Sequence, residues 1–327
     1  MLDVITFGET MVRLSPPNYR RLEQTSVLDV NAGGAEMSVA CNLSRLGLNV
    51  AWVSRLTDNE LGRMIRNKAR EQGVDTSHIV WTKDDRVGVY FLEFGASPRA
   101  SKVVYDRANS AISRTRPGEV NWEELLGQTK WFYTSGITPA LSPGAAQVTA
   151  EALKAAKKVG CKVGYDLNYR GRLWTAEEAG KCQEPLMQYV DVLISTEEDT
   201  GKVLGIKADS YQEVARKLAQ KFNFEVVCIT IREDISVLRN RWTAMAYSDG
   251  KVYEDRVYDV EIIDRLGAGD SFSAGFLYGY ITGDVAKGLK YGNAYAALQH
   301  SNPGDINWST LEEIEKQIKG AGLRISR

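Results

Sequence analysis

The chain has 327 residues, 43% of them hydrophobic, with 41 basic against 42 acidic side chains. That length is ample for a sizeable core in one large domain or two, and the near-balanced charge argues against nucleic acid or an anionic membrane as the main partner. No apolar run approaches the roughly 20 residues of a membrane span, and with only His78 and His300 a zinc centre or a Ser-His-Asp triad is not expected.

Taken in chain order, Val4–Phe7 is the first strand-like run, and no basic region followed by an apolar stretch precedes it, so no signal peptide is expected. Met11–Val30 is strand-rich with no helix after it. Gly33-Gly34 opens a helical pattern that ends in Arg45-Leu46-Gly47, and Val50–Arg55 reads as another strand. Arg86–Asp106 breaks the alternation again. Val87–Glu93 and Lys102–Asp106 read as two arms of a hairpin around Gly95–Pro98. Strand patterns recur at Trp131–Thr134, Lys162–Asp166, Val190–Ile194 and Val226–Thr230, most of them followed by helical patterns. One helix starts at Ser142-Pro143, as N-cap and first helical residue, and ends at Gly160 after Lys157-Lys158. Such an order implies a parallel sheet with helices on both faces and ligands at the carboxyl ends of its strands. Cys41, Cys161, Cys182 and Cys228 lack C-x-x-C spacing and read as thiols in a reducing compartment. The tail Leu323–Arg327 reads as a frayed end.

The most informative stretch is Asp264-Arg265-Leu266-Gly267-Ala268-Gly269-Asp270-Ser271-Phe272. It follows a strand-like run, Tyr258–Ile263, and precedes a helical pattern, Ser271–Ile281, with Phe272, Phe276 and Tyr280 at i, i+4 and i+8. A strand, a Gly-rich turn and a helix make an anion trap. Glycine lets the backbone approach a ligand, and the first helical N–H groups point out unpaired at the positive end of the helix dipole. A carboxylate in such a turn would repel a phosphate unless it does chemistry. Asp270 can take the proton of an attacking hydroxyl while the amides of Gly267, Ala268 and Gly269 hold phosphoryl oxygens. A plain helix start, with Gly for packing and Asp for capping, explains G-x-G-D alone about as well.

This stretch resembles the D-x-x-G-A-G-D-x-F signature of the ribokinase (PfkB) sugar kinases, and Gly33-Gly34 with the helix ending in Arg45-Leu46-Gly47 resembles their N-terminal motif. The resemblance covers nearly the whole chain. It implies an α/β, ribokinase-like fold: a central, mostly parallel sheet flanked by helices, with a small β-sheet lid. The core would comprise residues 1–10, 31–85 and 110–327, and the lid 11–30 and 86–109, with subunits paired through the lid as a homo-oligomer. ATP and Mg²⁺ would be bound in a cytoplasmic enzyme, and a monovalent cation such as K⁺ near Asp264 and Gly304.

Within the family, Tyr105–Ala111 resembles the Y-x-R-x-x-S-A segment, and Asp166–Trp174 the D-x-N-x-R-x-x-L-W segment, of 2-keto-3-deoxygluconate kinases. The resemblance implies an acid-sugar substrate phosphorylated at its terminal hydroxyl, and a guanidinium fork suits a carboxylate. Gly33, Gly34, Tyr90, Tyr105, Arg107 and Arg170 are then the expected sugar contacts, although a lone Arg is more often a solvated ion pair. Asn168, Ser195, Arg232 and Ser301, with Gly267 and Gly269, are the expected nucleotide contacts. Glu198, in Ser195-Thr196-Glu197-Glu198, would help place Mg²⁺ indirectly, though an acidic helix start explains it too. Another neutral or keto sugar (fructose, ribose, 5-keto-2-deoxygluconate) and a non-catalytic sugar-binding regulator are the alternatives. The intact Gly267–Asp270 turn weighs against the regulator.

Overall fold

A computed structural model describes residues 2–320 of the chain, so the tail expected to fray, Leu323–Arg327, lies outside the described residues. Among them a nine-stranded sheet runs in the order Lys251–Glu254, Arg239–Ser248, Val226–Ser236, Val192–Ser195, Lys162–Asp166, Thr129–Ser135, Leu2–Phe7 and Val50–Val53, with Tyr258–Glu261 also paired to Arg239–Ser248. From Val50–Val53 to Val226–Ser236 every neighbour pair is parallel. Alternate residues feed two separate cores. Val4, Trp52, Tyr133 and Cys228 face one, while Ile5, Val53, Phe132 and Ile229 face the other. Burial on both faces is why these strands read as continuous apolar runs rather than as alternating ones.

The helix expected from Ser142 to Gly160 forms as Pro143–Val159. Ser142 Oγ accepts from the Ala145 amide at 3.0 Å, and Gly160 sits at φ 74°. The strand expected at Val50–Arg55 is broken at Ser54, whose hydroxyl donates to the Gly8 carbonyl at 2.8 Å. Beyond the break Arg55–Thr57 joins Val80–Thr82 in a separate two-stranded sheet. The strand from Val226 does not stop at Thr230. It continues to Ser236 and folds back as Arg239–Ser248, because Thr230–Ser236 contains β-branched Ile231 and Ile235 and no Gly or Pro to break it.

A second, four-stranded sheet is ordered Asp29–Gly33, Met11–Ser15, Val89–Glu93, Lys102–Asp106. Its last two strands are the arms of the expected hairpin, with Val89 opposite Asp106. The small sheet has only a small core of its own, Met11, Tyr90 and Leu92, against which Phe94, Val103 and Leu266 pack. No helix among the described residues is long and apolar enough to cross a membrane.

Candidate active site

The helix after the Gly-rich turn spans Ala268–Ile281, so it starts earlier than the pattern suggested and Asp270 lies in its first turn. Gly267 is the N-cap at φ 77°, and no side chain caps the helix, which leaves its first amides for a ligand. A Cβ on Gly267 would lie 2.3 Å from the Asp305 carbonyl oxygen, so the turn demands glycine twice over, for its left-handed backbone and for this close approach. The turn is braced on both sides: the Leu266 amide donates to Asp264 Oδ1 at 3.0 Å, and Gln299 Nε2 donates to the Leu266 carbonyl at 3.0 Å.

Two cavities meet at this turn. One, of 760 Å³, opens over Gly267–Asp270, the loop from Asp166 to Gly171 and the start of the helix Glu197–Val203. The other, of 110 Å³, lies under the small sheet and is lined by Gly33, Gly34, Tyr90, Tyr105 and Arg107 among others. Arg170, Leu266, Gly267 and Asp270 line both. A carboxylate and a row of free amides thus stand at the wall between a large polar space and a small one.

Asp270 is held well above the usual carboxylate range by burial first, and then by the nearby Asp166, Asp305 and Glu36, with Arg170 opposing. Asp166 is pushed up to about 7 by burial, again with Arg170 opposing. Glu36 is likewise raised to about 7 by burial. Its Oε1 accepts from the Ser135 amide at 3.1 Å and from the Ser135 and Thr138 hydroxyls at 2.8 Å, while Oε2 has no partner among the described residues.

The six expected sugar contacts all line the smaller cavity. A Cβ on Gly33 would come 2.2 Å from the Tyr90 hydroxyl, so the chain must be bare there for Tyr90 to enter. That hydroxyl donates to Asp305 Oδ1 at 2.7 Å, and the Tyr105 ring packs 5.9 Å from that of Tyr90. Arg107 stands over the Tyr105 ring and is ion-paired to Glu9, a residue the sequence did not single out. Glu9 also accepts from the Ser110 hydroxyl. Arg107 therefore reaches the cavity already held by a carboxylate of the protein, its Nε without a partner among the described residues. Asn168, at φ 39°, turns the chain after the strand Lys162–Asp166 and hydrogen-bonds the Asp166 carboxylate, which brings Arg170 round to both cavities.

On the large side Asn168, Ser195, Arg232, Gly267, Gly269 and Glu198 all line the cavity. Arg232 is paired with Asp234 at 3.4 Å and lies on the extended strand Val226–Ser236. Ser301 is not brought in. Its hydroxyl is committed to the Leu298 carbonyl at 2.7 Å, and the adjacent His300 lines the cavity instead. Glu198 presents an exposed carboxylate paired, among the described residues, only with Lys202, which suits a hard cation carried in by phosphates. Asp264 faces a guanidinium where a cation was expected: it is ion-paired to the buried Arg13 and accepts from the Gly304 amide at 2.9 Å. Arg13 and Asp305 are the main participants that the sequence did not reveal. Asp305 had a signal, the turn Pro303-Gly304-Asp305 to which it belongs, whereas Arg13 had none.

The sequence profile described as pfkB family carbohydrate kinase matches residues 1–312. A 2-dehydro-3-deoxygalactonokinase from Haloferax volcanii is 40% identical over 326 residues, 99% of either chain. A 5-dehydro-2-deoxygluconokinase from Bacillus licheniformis is 30% identical over 97% of this chain and 95% of its own. The crystal structure of a 2-dehydro-3-deoxygluconokinase from Thermotoga maritima superposes with a TM-score of 0.95 at 45% identity, covering 98% of each chain.

Proposed function

The chain belongs to the pfkB family of carbohydrate kinases and is an ATP-dependent sugar kinase, and we propose that its substrate is 2-keto-3-deoxy-D-gluconate, phosphorylated at the terminal hydroxyl to give 2-keto-3-deoxy-6-phosphogluconate and ADP. One observation carries this reading: Asp270 and Gly267 stand where the two cavities meet, with Arg107 and Arg170 opening onto the smaller one.

ATP occupies the large cavity and the sugar acid the small one. Asp270 takes the proton of the terminal hydroxyl as its oxygen attacks the γ-phosphorus, and the bond to the ADP oxygen breaks. The amides of Gly267, Ala268 and Gly269 hold the charge on the transferring group, so positioning and electrostatics supply most of the rate. Bound with ATP, Mg²⁺ offsets the phosphate charge, and Glu198 is the carboxylate available to place it. Arg107 and Arg170 grip the substrate carboxylate, one from beside the small sheet and one from the core, with Tyr90 and Tyr105 against its hydroxyl and keto groups.

The small sheet, which takes in strands of the expected lid residues 11–30 and 86–109 and runs on to Gly33, acts as a lid that excludes water from the phosphoryl group. Its exposed Val27, Val30 and Val104 support pairing of two copies through its outer face, which sedimentation tests. Four unpaired cysteines suit a cytoplasmic enzyme. The name of the Haloferax relative favours a second substrate, the C4-epimeric 2-keto-3-deoxygalactonate. The test compares kcat/KM for both sugar acids and for neutral hexoses in wild type, Arg107→Lys and Arg170→Lys. Lysine keeps the charge and loses the fork, so each variant should lose roughly ten- to a hundredfold on the acids and little on a neutral sugar. A wild-type preference for the neutral sugar would sink the acid-sugar assignment.

A further inference from the structure

Arg13 lies on a strand of the small sheet, yet its guanidinium is buried against two loops of the core, with only 2% of the side chain exposed. Nη2 donates to Asp264, Nη1 to Asp305 Oδ2 at 2.7 Å and Nε to Ser15 Oγ at 3.2 Å. The Phe94 ring lies 5.4 Å from Cζ. Burial works against the charge, but Asp305 and Asp264 outweigh it and keep the guanidinium firmly protonated.

Both carboxylates frame the phosphoryl-binding turn. Asp264 braces it through the Leu266 amide, and Asp305 packs its carbonyl onto Gly267 and orients Tyr90. Two buried carboxylates this close need a cation between them. Asp264 turns both its oxygens to protein donors: Oδ1 to the Leu266 amide, Oδ2 to Arg13 and the Gly304 amide. That donor set does not fit a bound monovalent ion.

We infer that Arg13 is the resident counter-ion of the phosphoryl-binding turn, standing in for a monovalent cation at Asp264 and tying the small sheet to the Gly267 amides. The inference rests on the kinase reading of the site. Arg13 touches no reacting atom and is a positioning residue. Two consequences follow from its place: turnover needs no K⁺, and displacement of the small sheet is felt at the turn.

The test uses the intact enzyme at constant ionic strength in potassium, sodium or tetramethylammonium chloride, with melting curves in the same salts without sugar. The wild type should turn over and melt alike in all three. Arg13→Ala should lose about 10²-fold in kcat, the scale of a misplacement of about 1 Å at a reacting centre. It should regain part of that with K⁺ or guanidinium ion but not with the bulky tetramethylammonium. Arg13→Lys should retain more activity and be rescued less, and it serves if the alanine variant fails to fold. A K⁺-specific rise in wild-type rate or melting temperature overturns the inference. So does an Arg13→Ala enzyme at wild-type rate without K⁺, or a folded variant whose loss no small cation relieves. Absence of turnover on every sugar acid in every salt removes the substrate assignment instead, and the melting curves then decide the role of Arg13.

Discussion

Asp270 is the residue on which the proposed chemistry converges, and its surroundings set its pH behaviour. Burial and the neighbouring Asp166 lift it above an ordinary carboxylate, so the proposed base stays protonated up to a higher pH than usual. We expect kcat/KM to fall on the acid side through an apparent pKa above the usual carboxylate range, measured in the free enzyme by a pH–rate profile. Asp270→Asn should lose about 10²–10⁴-fold in kcat with an unchanged circular dichroism spectrum. Near-normal turnover would remove Asp270 from the mechanism.

Glu36 makes a different prediction, about stability. Its folded-state value of about 7 lies above the ordinary 4.5, so between those two pH values the folded state holds a proton that the unfolded chain has released. Stability from this group is present at low pH and is lost as pH rises through 7, on the order of 3 kcal/mol from the pKa difference. Glu36→Gln keeps a donor at the Oε2 position and cannot ionise. Its melting temperature should therefore fall less between pH 5 and about 8 than that of the wild type. Parallel curves for the two proteins would rule out Glu36 as the titrating group.

At the level of the element, the turn before the helix Ala268–Ile281 uses its two glycines for different reasons. Gly267 is left-handed and pressed against Asp305, whereas a Cβ on Gly269 would meet nothing within 4 Å. Gly267→Ala should cost at least on the order of 1–2 kcal/mol from the left-handed backbone alone, and should lower kcat by moving the amides. Gly269→Ala should leave the melting temperature unchanged or higher, since Ala is favoured in a helix by up to about 1 kcal/mol. It should raise the KM for ATP, because the new methyl stands in the large cavity. Equal damage from both substitutions, in melting curves and steady-state kinetics, would mean that the turn tolerates no side chain anywhere.

On the scale of the whole molecule, a large sheet with a core on each face carries a small sheet with a core of a few side chains. Such a sheet belongs to the low-stability part of a protein. The strand Lys102–Asp106 is its outer edge and is mostly exposed. Its amides should exchange hydrogen fast in the free enzyme and slow markedly when a sugar acid and a non-hydrolysable ATP analogue are both bound. Unchanged exchange would mean that the small sheet does not close on substrate.

Much of this protein is set by local sequence. The strand-helix alternation, the Ser142–Gly160 helix with both ends, and the Gly267–Asp270 turn are legible because each rests on what a few neighbouring residues permit: a left-handed φ, a missing amide hydrogen, an unbroken apolar run. The proposed sugar contacts Tyr105, Arg107 and Arg170 are legible because they follow such elements in segments that resemble those of known sugar-acid kinases. Other features depend on which strands meet. Arg13 and Asp305 are 292 positions apart, and nothing local marks either as the other's partner. The Glu9 carboxylate that holds Arg107, and His300 in the place expected for Ser301, are likewise set by packing. An ion pair in the interior is stable only where both charges are desolvated together, and that condition is met by the assembled fold, not by any stretch of chain.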